Sequence, residues 1–375
     1  MRLGFDAKRA FHNYSGLGNY SRYVIANIKR FYPENECLLY TPAVADPDLF
    51  HEPSTAQIIG PEGPLEKLSP SLWRTFGVSR RLNRDRVDVF HGLSNELPFG
   101  IHRSRSRTVV TIHDLIFLEH PHLYKTLDRT IYLRKSEYAA RHATRIIAVS
   151  EQTKQDIMRH LGVDESRIRV VYQGCSRQFY SRVSEDSLRQ ARDRFSLPRN
   201  YLLYVGTVEE RKNLFRIVQA LDEGKIDIPL VVVGRRIPAY ANQVMAYIQR
   251  RNMKNIHFLD QVQVSDLPAI YQGATAFIYP SSYEGFGIPI LEALNSRIPV
   301  ITSAGGCLEE TSGKGGLHID PHSTGQMVEA IRSLLQDDNL RDRLILEGGS
   351  HALKFREEQT IPSLYQVYLE CFHNA

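Results

Sequence analysis

The sequence predicts an α/β protein made of two Rossmann-like, doubly wound domains, each built on a parallel sheet. Three observations carry that prediction. Short apolar runs alternate with stretches of helical periodicity, the pattern that places helices on both faces of a parallel sheet. The alternation fades over residues 176–200 and restarts at Tyr201. A length of 375 residues exceeds one ordinary core and fits two of roughly 150–200 residues. The expected domains are residues 1–180 and 195–355, with 356–375 as a terminal helical segment.

Arg2–Asp6 reads as the first strand. Gly16-Leu17-Gly18-Asn19-Tyr20-Ser21 follows, and a helix from about Gly18 to Arg30 carries Tyr20, Val24, Ile25 and Ile28 on one side. Strand, Gly-rich loop and helix are the parts of a dinucleotide fingerprint, but Ser21 stands where its third glycine belongs. What remains is a tight turn that lets a phosphate approach. Residues 37–40, 87–91, 108–112, 146–149 and 169–172 read as further strands. His91-Gly92 and Thr111-Ile112-His113-Asp114 stand at strand ends, where this architecture gathers functional residues. Asp114 either orients His113 or caps the next turn, and Ser150 is a credible helix N-cap.

In the second half, 201–205 is an apolar strand leading into Gly206-Thr207-Val208-Glu209-Glu210-Arg211-Lys212-Asn213-Leu214. Arg211 and Lys212 stand at the entry of a helix that carries Leu214, Ile217, Val218 and Leu221. A helix N-terminus already has positive potential, so two cations there point to an anion, with phosphate the natural candidate. Strands are expected at 228–233, 256–259, 274–279 and 298–301. Amphipathic helices follow over 324–353 and 361–372.

The most informative stretch is Tyr279-Pro280-Ser281-Ser282-Tyr283-Glu284-Gly285-Phe286-Gly287-Ile288-Pro289-Ile290-Leu291-Glu292. A buried strand ends at Pro280, two glycines loosen the backbone, and Pro289 suits the first turn of a helix. That arrangement offers backbone N–H groups and a positive helix end to an anion. As a hydrolytic pair, Glu284 and Glu292 are badly spaced. Eight residues of helix would separate their backbones by roughly 12 Å, against about 5–9.5 Å between glycosidase carboxyls.

Composition bounds the class. Apolar residues make up 42% and charged residues 24%, ordinary for a globular protein. No window approaches a membrane span, and the N-terminus has no signal-peptide core. Four scattered cysteines form no metal or disulfide pattern. A cytoplasmic protein is the expectation. Residues 1–180 hold 26 Lys and Arg against 19 Asp and Glu, whereas the rest hold 21 against 23. That basic half suits a polyanionic partner or the anionic inner face of a membrane.

Taken together, Gly16-Leu17-Gly18-Asn19-Tyr20, Ile112-His113-Asp114, Ala148-Val149-Ser150, Arg211-Lys212-Asn213, Val233-Gly234 and Glu284-Gly285-Phe286-Gly287-Ile288-Pro289 through Glu292 resemble retaining nucleotide-sugar glycosyltransferases of family four. The resemblance implies the GT-B architecture, two Rossmann-like domains facing across a cleft with the C-terminal helix crossing back to the first. It implies that Arg211 and Lys212 hold the donor diphosphate together with the backbone of Gly287 and Ile288. Glu284 would bind donor-sugar hydroxyls and Glu292 the ribose, while Val262 meets the base through its backbone. His113 would lie near the transferred sugar, and Gly16 and Gly18 beside the phosphates. Gly206, Gly285 and Phe286 complete the donor-binding set. In this chain Gly305-Gly306-Cys307 replaces the more polar residues often found in that loop.

The implied activity is transfer of a sugar, mannose from GDP-mannose being the expected pair, to a glycan or lipid-linked acceptor in cell-surface polysaccharide synthesis. Neither a metal nor a cofactor is expected beyond the nucleotide-sugar substrate. Two other classes remain open at this point. A sugar-nucleotide epimerase of the same fold would turn over donor without acceptor. A nucleic-acid-binding protein would use the arginine clusters and bind with steep salt dependence, but no RNA-binding signature is present.

Overall fold

A computed structural model describes residues 1–44, 49–50 and 56–373. The chain forms two compact units, Met1–Gln173 with Glu357–Ala375, and Gly174–Arg356. The first unit holds β1 (Arg2–Asp6), β2 (Glu36–Tyr40), β3 (Gln57–Ile59), β4 (Val89–Gly92), β5 (Arg107–Ile112), β6 (Arg145–Ala148) and β7 (Ile168–Val170). Their order is β3-β2-β1-β4-β5-β6-β7, with every pairing parallel. The second holds β8 (Leu202–Val205), β9 (Leu230–Val233), β10 (Ile256–Leu259), β11 (Ala276–Tyr279), β12 (Val300–Ser303) and β13 (Gly316–Ile319). Its parallel order is β10-β9-β8-β11-β12-β13. In both sheets the order reverses beside the first strand, at β1/β4 and at β8/β11. Such a reversal opens a crevice at the carboxyl ends of the strands.

The apolar composition of the strands follows from burial on both faces. Leu230–Val233 reads LVVV, and all four residues are buried. In the first unit the helix Gly16–Phe31 packs Tyr20, Val24, Ile25 and Ile28 against Leu3 and Phe5 of β1. Glu357–His373 covers the same face with Ile361, Leu364, Val367, Tyr368 and Cys371. The opposite face takes Leu82, Ala139, Ala140 and Ile157 against Val110 and Ile112. Among the described residues no helix is long and apolar enough to cross a membrane.

The sequence reading differs from the structure at three places. The stretch 176–200, expected as a linker with one short helix, is part of the second unit, where that helix, Glu185–Phe195, packs on Leu267–Gln272. The division therefore falls at Gln173/Gly174 and not near residue 180. Strands β3 and β13 were not anticipated. Both are sheet-edge strands, short and partly exposed, so they lack the continuous apolar run that marks the central ones.

Candidate active site

In the second unit, loops after β8 and β11 are fastened to one another. The end of β8 lies so close to β9 that a Cβ on Gly234, whose φ is +145°, would sit 2.0 Å from the Gly206 carbonyl oxygen. The chain then makes the single turn Glu210–Lys212 and enters the next helix through Asn213 at φ +60°. The Asn213 amide donates to the Pro321 carbonyl at 2.6 Å and to that of Pro280 at 3.3 Å. Ser282 N–H donates to the Arg211 carbonyl at 2.8 Å. From β12, Ser303 Oγ donates to the Ser281 carbonyl at 2.6 Å. The Cys307 thiol donates toward the carbonyls of Glu284 and Phe286 at 3.1 and 3.2 Å. Phe286 itself packs edge-on against Phe355. Cys307 thus braces the glutamate loop from behind.

This fastening brings Arg211, Lys212 and Glu284 together. Arg211 Nη1 lies 2.6 Å from Glu284 Oε1 and Lys212 Nζ lies 4.0 Å from it. Tyr279 and Ser281 donate to the same oxygen at 2.8 and 3.0 Å. The anion between the two cations is therefore a carboxylate of the chain itself. Burial opposes ionisation of Glu284, but Arg211 and Lys212, with the Tyr279 hydroxyl, outweigh it and hold the carboxyl below its ordinary range. Arg211 is held in turn by further partners. It also pairs with Glu209 at 2.7 Å and donates to the Tyr283 carbonyl. Lys212 Nζ instead stands over the Tyr279 ring, 5.4 Å from its centroid. A Cβ on Gly206 would come 3.3 Å from that ammonium, so glycine leaves room for it.

Gly285 and Phe286 continue from Glu284 into the helix Ile288–Asn295, with Gly287 at its N-cap and Pro289 in its first turn. The first N–H groups of a helix lack intrahelical partners, so Gly287 and Ile288 start a donor-rich end beside the cluster. Glu292 lies farther along this helix and receives the Tyr271 hydroxyl at 2.9 Å. Burial pushes its carboxyl up to about 7, against a smaller opposing effect of the Tyr271 bond. No ion pair or hydrogen bond joins Glu292 to Arg211 or Lys212. Val262 lies half-buried in the loop after β10, next to Gln261 at φ +55°.

The remaining predicted residues, Gly16, Gly18 and His113, are in the first unit. A Cβ on Gly18 would fall 1.8 Å from the Asn13 carbonyl oxygen, whereas Gly16 has nothing within 4 Å. Leu17, between them, lines a cavity of about 310 Å³ with Arg9, Glu96, His113, Tyr132 and Lys135. His113 Nε2 sits 2.9 Å from the Leu93 carbonyl. A carbonyl only accepts, so this nitrogen carries the proton. The ring lies edge-to-face with Tyr20 at 4.6 Å. Burial, only partly offset by the Leu93 bond, lowers its pKa to about 4, and His113 is neutral at neutral pH. Asp114 caps the following turn, accepting from Ile116 N–H at 3.2 Å.

His91, the second strand-end histidine, belongs to a buried chain of polar contacts. Its Nδ1 meets the Tyr368 hydroxyl at 2.7 Å and its Nε2 meets Thr111 Oγ1 at 2.8 Å. Thr111 in turn meets the Tyr20 hydroxyl at 2.9 Å. The sequence reading missed Tyr20, Thr111 and Tyr368 in this role, and missed Tyr279, Ser281 and Glu209 around Arg211. Only Tyr279 left a signal, as the last residue of a strand before Pro280. One D-x-D triplet, Asp46-Pro47-Asp48, lies outside the described residues. Among the described residues, Glu119, Asp156 and His160 could hold a metal ion, but Arg159 pairs with both carboxylates.

Comparison with known proteins identifies the family. Residues 15–179 match the family model Glycosyltransferase Family 4, and 189–350 match Glycosyl transferases group 1. The chain is 31% identical to an O-antigen chain mannosyltransferase B of Escherichia coli, over 76% of this chain and 75% of that protein. It is 25% identical to the O-antigen chain mannosyltransferase RfbU of Salmonella typhimurium, over 74% and 75%. A sucrose-phosphate synthase from Thermosynechococcus elongatus superposes with a TM-score of 0.81 at 20% identity, covering 100% of both chains. WaaG, a glycosyltransferase involved in lipopolysaccharide biosynthesis, superposes at 0.71 with 18% identity, over 98% of this chain and 99% of that one. With two Rossmann-like units in the order of the two family models, the chain belongs to the family-four glycosyltransferases of the GT-B fold.

Proposed function

We propose that the protein is a retaining mannosyltransferase that moves mannose from GDP-mannose to a glycan or lipid-linked acceptor in cell-surface polysaccharide synthesis, at the cytoplasmic face of a membrane. The observation that carries the reading is the cluster of Arg211, Lys212 and Glu284 beside the N-terminal end of the helix Ile288–Asn295. Breaking a sugar–phosphate bond builds negative charge on the departing diphosphate and positive character on the sugar ring. Preorganised cations and backbone N–H groups stabilise that charge where it develops.

Lys212, its ammonium held over Tyr279 and in no side-chain hydrogen bond among the described residues, is the cation that meets the diphosphate. Arg211 keeps Glu284 ionised and in place. Glu284 then accepts hydroxyls of the donor sugar, while Gly287 and Ile288 offer N–H groups to the phosphate. Gly206, Gly285 and Phe286 shape the donor site, Glu292 takes the ribose, and the backbone at Val262 meets the base. In the first unit, His113 serves the transferred sugar, and Gly16 and Gly18 serve the donor phosphates. Lys212 and the backbone N–H groups of Gly287 and Ile288 face the charge that a metal would otherwise neutralise, so the transfer is metal-independent in this reading. The choice of mannose is supported by the O-antigen mannosyltransferase relatives.

A melting panel with GDP, UDP, ADP and their sugars tests the proposal. A nucleotide present at 100 times its Kd stabilises by about 2.7 kcal/mol, and GDP and GDP-mannose should shift the melt most. A larger shift with UDP would overturn the mannose reading, and no shift with any nucleotide would overturn the donor site.

A further inference from the structure

The loop that carries Glu284 has its carbonyl oxygens tied back by side chains of neighbouring elements. Thr302 Oγ1 donates to the Tyr279 carbonyl at 2.8 Å, Asn213 Nδ2 to that of Pro280 at 3.3 Å, and Ser303 Oγ to that of Ser281 at 2.6 Å. Arg211 donates to the Tyr283 carbonyl. The ties at Glu284 and Phe286 both come from one side chain, Cys307, whose sulfur lies 3.1 and 3.2 Å from those two oxygens.

These last ties fall where the loop has least control of itself. Gly285 and Gly287 alternate with Glu284 and Phe286, and glycine leaves the adjoining peptide planes free to rotate. The planar trans peptide sets the N–H of one residue opposite the C=O of the residue before it. Holding the Phe286 carbonyl against the sulfur therefore aims the Gly287 N–H away from it. Gly287 is the N-cap of Ile288–Asn295, the end that offers its N–H groups to an anion. Holding the Glu284 carbonyl fixes, in the same way, the backbone from which the Glu284 side chain projects.

Cys307 is itself rigidly placed. It is 1% exposed and lies in the first turn of Gly306–Ser312, which the chain enters through Gly305 at φ +79° and Gly306 at φ +61°. Glu309 accepts from Gly305 N–H at 2.6 Å, and the Thr311 hydroxyl donates to the Cys307 carbonyl at 2.7 Å. A Cβ on Gly287 would come 3.3 Å from Thr311, so this short helix abuts the N-cap it orients. A thiol so buried is chemically inert and acts through its hydrogen bond. The departure Gly305-Gly306-Cys307 thus omits polar side chains at two positions and keeps a donor at the third.

We propose that Cys307 is a positioning residue for sugar transfer. Its S–H, shared between the Glu284 and Phe286 carbonyls, aims the Gly287 N–H at the departing diphosphate and steadies Glu284. The proposal rests on the donor site inferred above, and adds that a single thiol sets its direction and that a hydroxyl can take the thiol's place.

Binding of GDP and guanosine, with UDP and uridine in parallel, to wild type, Cys307→Ser and Cys307→Val tests it. The serine hydroxyl donates as the thiol does, and Cys307→Ser should hold the diphosphate within about threefold of wild type. Valine fills the space and donates nothing. Cys307→Val should bind the diphosphate about tenfold more weakly, the loss expected for roughly one hydrogen bond to a charged group, and the bare nucleoside within about twofold. In transfer assays kcat should fall in Cys307→Val and recover in Cys307→Ser. Melting curves and nucleoside binding report that each variant is folded, and Cys307→Ala repeats the comparison without added bulk. Unchanged diphosphate affinity in Cys307→Val would overturn the inference. Equal losses for diphosphate and nucleoside, or equal losses in the serine and valine variants, would also overturn it, since Cys307 would then only fill space. A wild type that bound neither diphosphate would overturn the donor site itself, and this inference with it.

Discussion

Lys212 and Arg211 are adjacent, yet the structure gives them different work. Arg211 is buried against Glu284, Glu209 and the Tyr283 carbonyl, and removing it would strand a buried carboxylate. Loss of a partner in such a pair costs about 3–5 kcal/mol, so Arg211→Ala should lose fold and activity together. Lys212→Ala should instead lower transfer roughly a hundredfold while leaving the melt nearly unchanged. Steady-state kinetics alongside a melting curve checks this, and full activity in the variant would remove Lys212 from the phosphate site. Glu292 makes a separate prediction. Its carboxyl is raised to about 7 in the folded state from an ordinary value of 4.5. The stability it contributes is therefore complete below pH 4.5 and is lost as pH rises through about 7. Glu292→Gln should raise the melting temperature at pH 8 relative to wild type and change little at pH 5. The difference is at most about 3 kcal/mol, and less where water reaches the carboxyl. Equal effects at both pH values would refute the assignment.

At the scale of elements, legibility tracked burial and turn chemistry. The stretch from Tyr279 to Glu292 could be read because proline and glycine punctuate it and its strand is apolar throughout. Edge strands β3 and β13 could not, since Gln57-Ile58-Ile59 is only three residues long and Gly316-Leu317-His318-Ile319 is broken by glycine and histidine. That the short helix within 176–200, Glu185–Phe195, belongs to the second unit was hidden for a similar reason. Only Ala191 of its eleven residues is buried, so its sequence resembles a charged linker. His91 shows another limit. A histidine at a strand end has the same sequence signature whether it meets a ligand or a buried tyrosine, and here Tyr368 comes from 277 residues away. Similarly, the motif containing Gly16 and Gly18 did not say which glycine is obligatory. Gly18→Ala should cost roughly 1–3 kcal/mol from the collision with the Asn13 carbonyl. Gly16→Ala should fall within about 0.5 kcal/mol of wild type. Denaturant melts of the two variants distinguish them, and equal losses would contradict the backbone placement.

For the whole molecule, the decisive element is the helix Glu357–His373. Ile361, Leu364, Val367, Tyr368 and Cys371 are buried in the first unit's core, at about 1.5–3 kcal/mol for a full-sized apolar side chain. That sum is comparable with the net stability of an entire domain. Its Tyr368 hydroxyl also satisfies buried His91, whose pKa burial lowers to about 3. A chain ending at Arg356 should therefore lose the calorimetric transition of the first unit while keeping that of the second. Two intact transitions would show that the helix is dispensable.

The same arrangement makes the second unit, in effect, an insertion within the first. Residues 174–356 are contiguous, whereas the first unit is completed only by residues that follow all of them. On the ribosome, the second unit can close as soon as its own segment has emerged. The first, although it emerges earlier, must wait with its hydrophobic face on Leu3, Phe5, Val24 and Ile28 partly uncovered. Synthesis therefore orders the assembly backwards, second unit before first. The intermediate is an N-terminal segment whose core is incomplete until its last helix arrives.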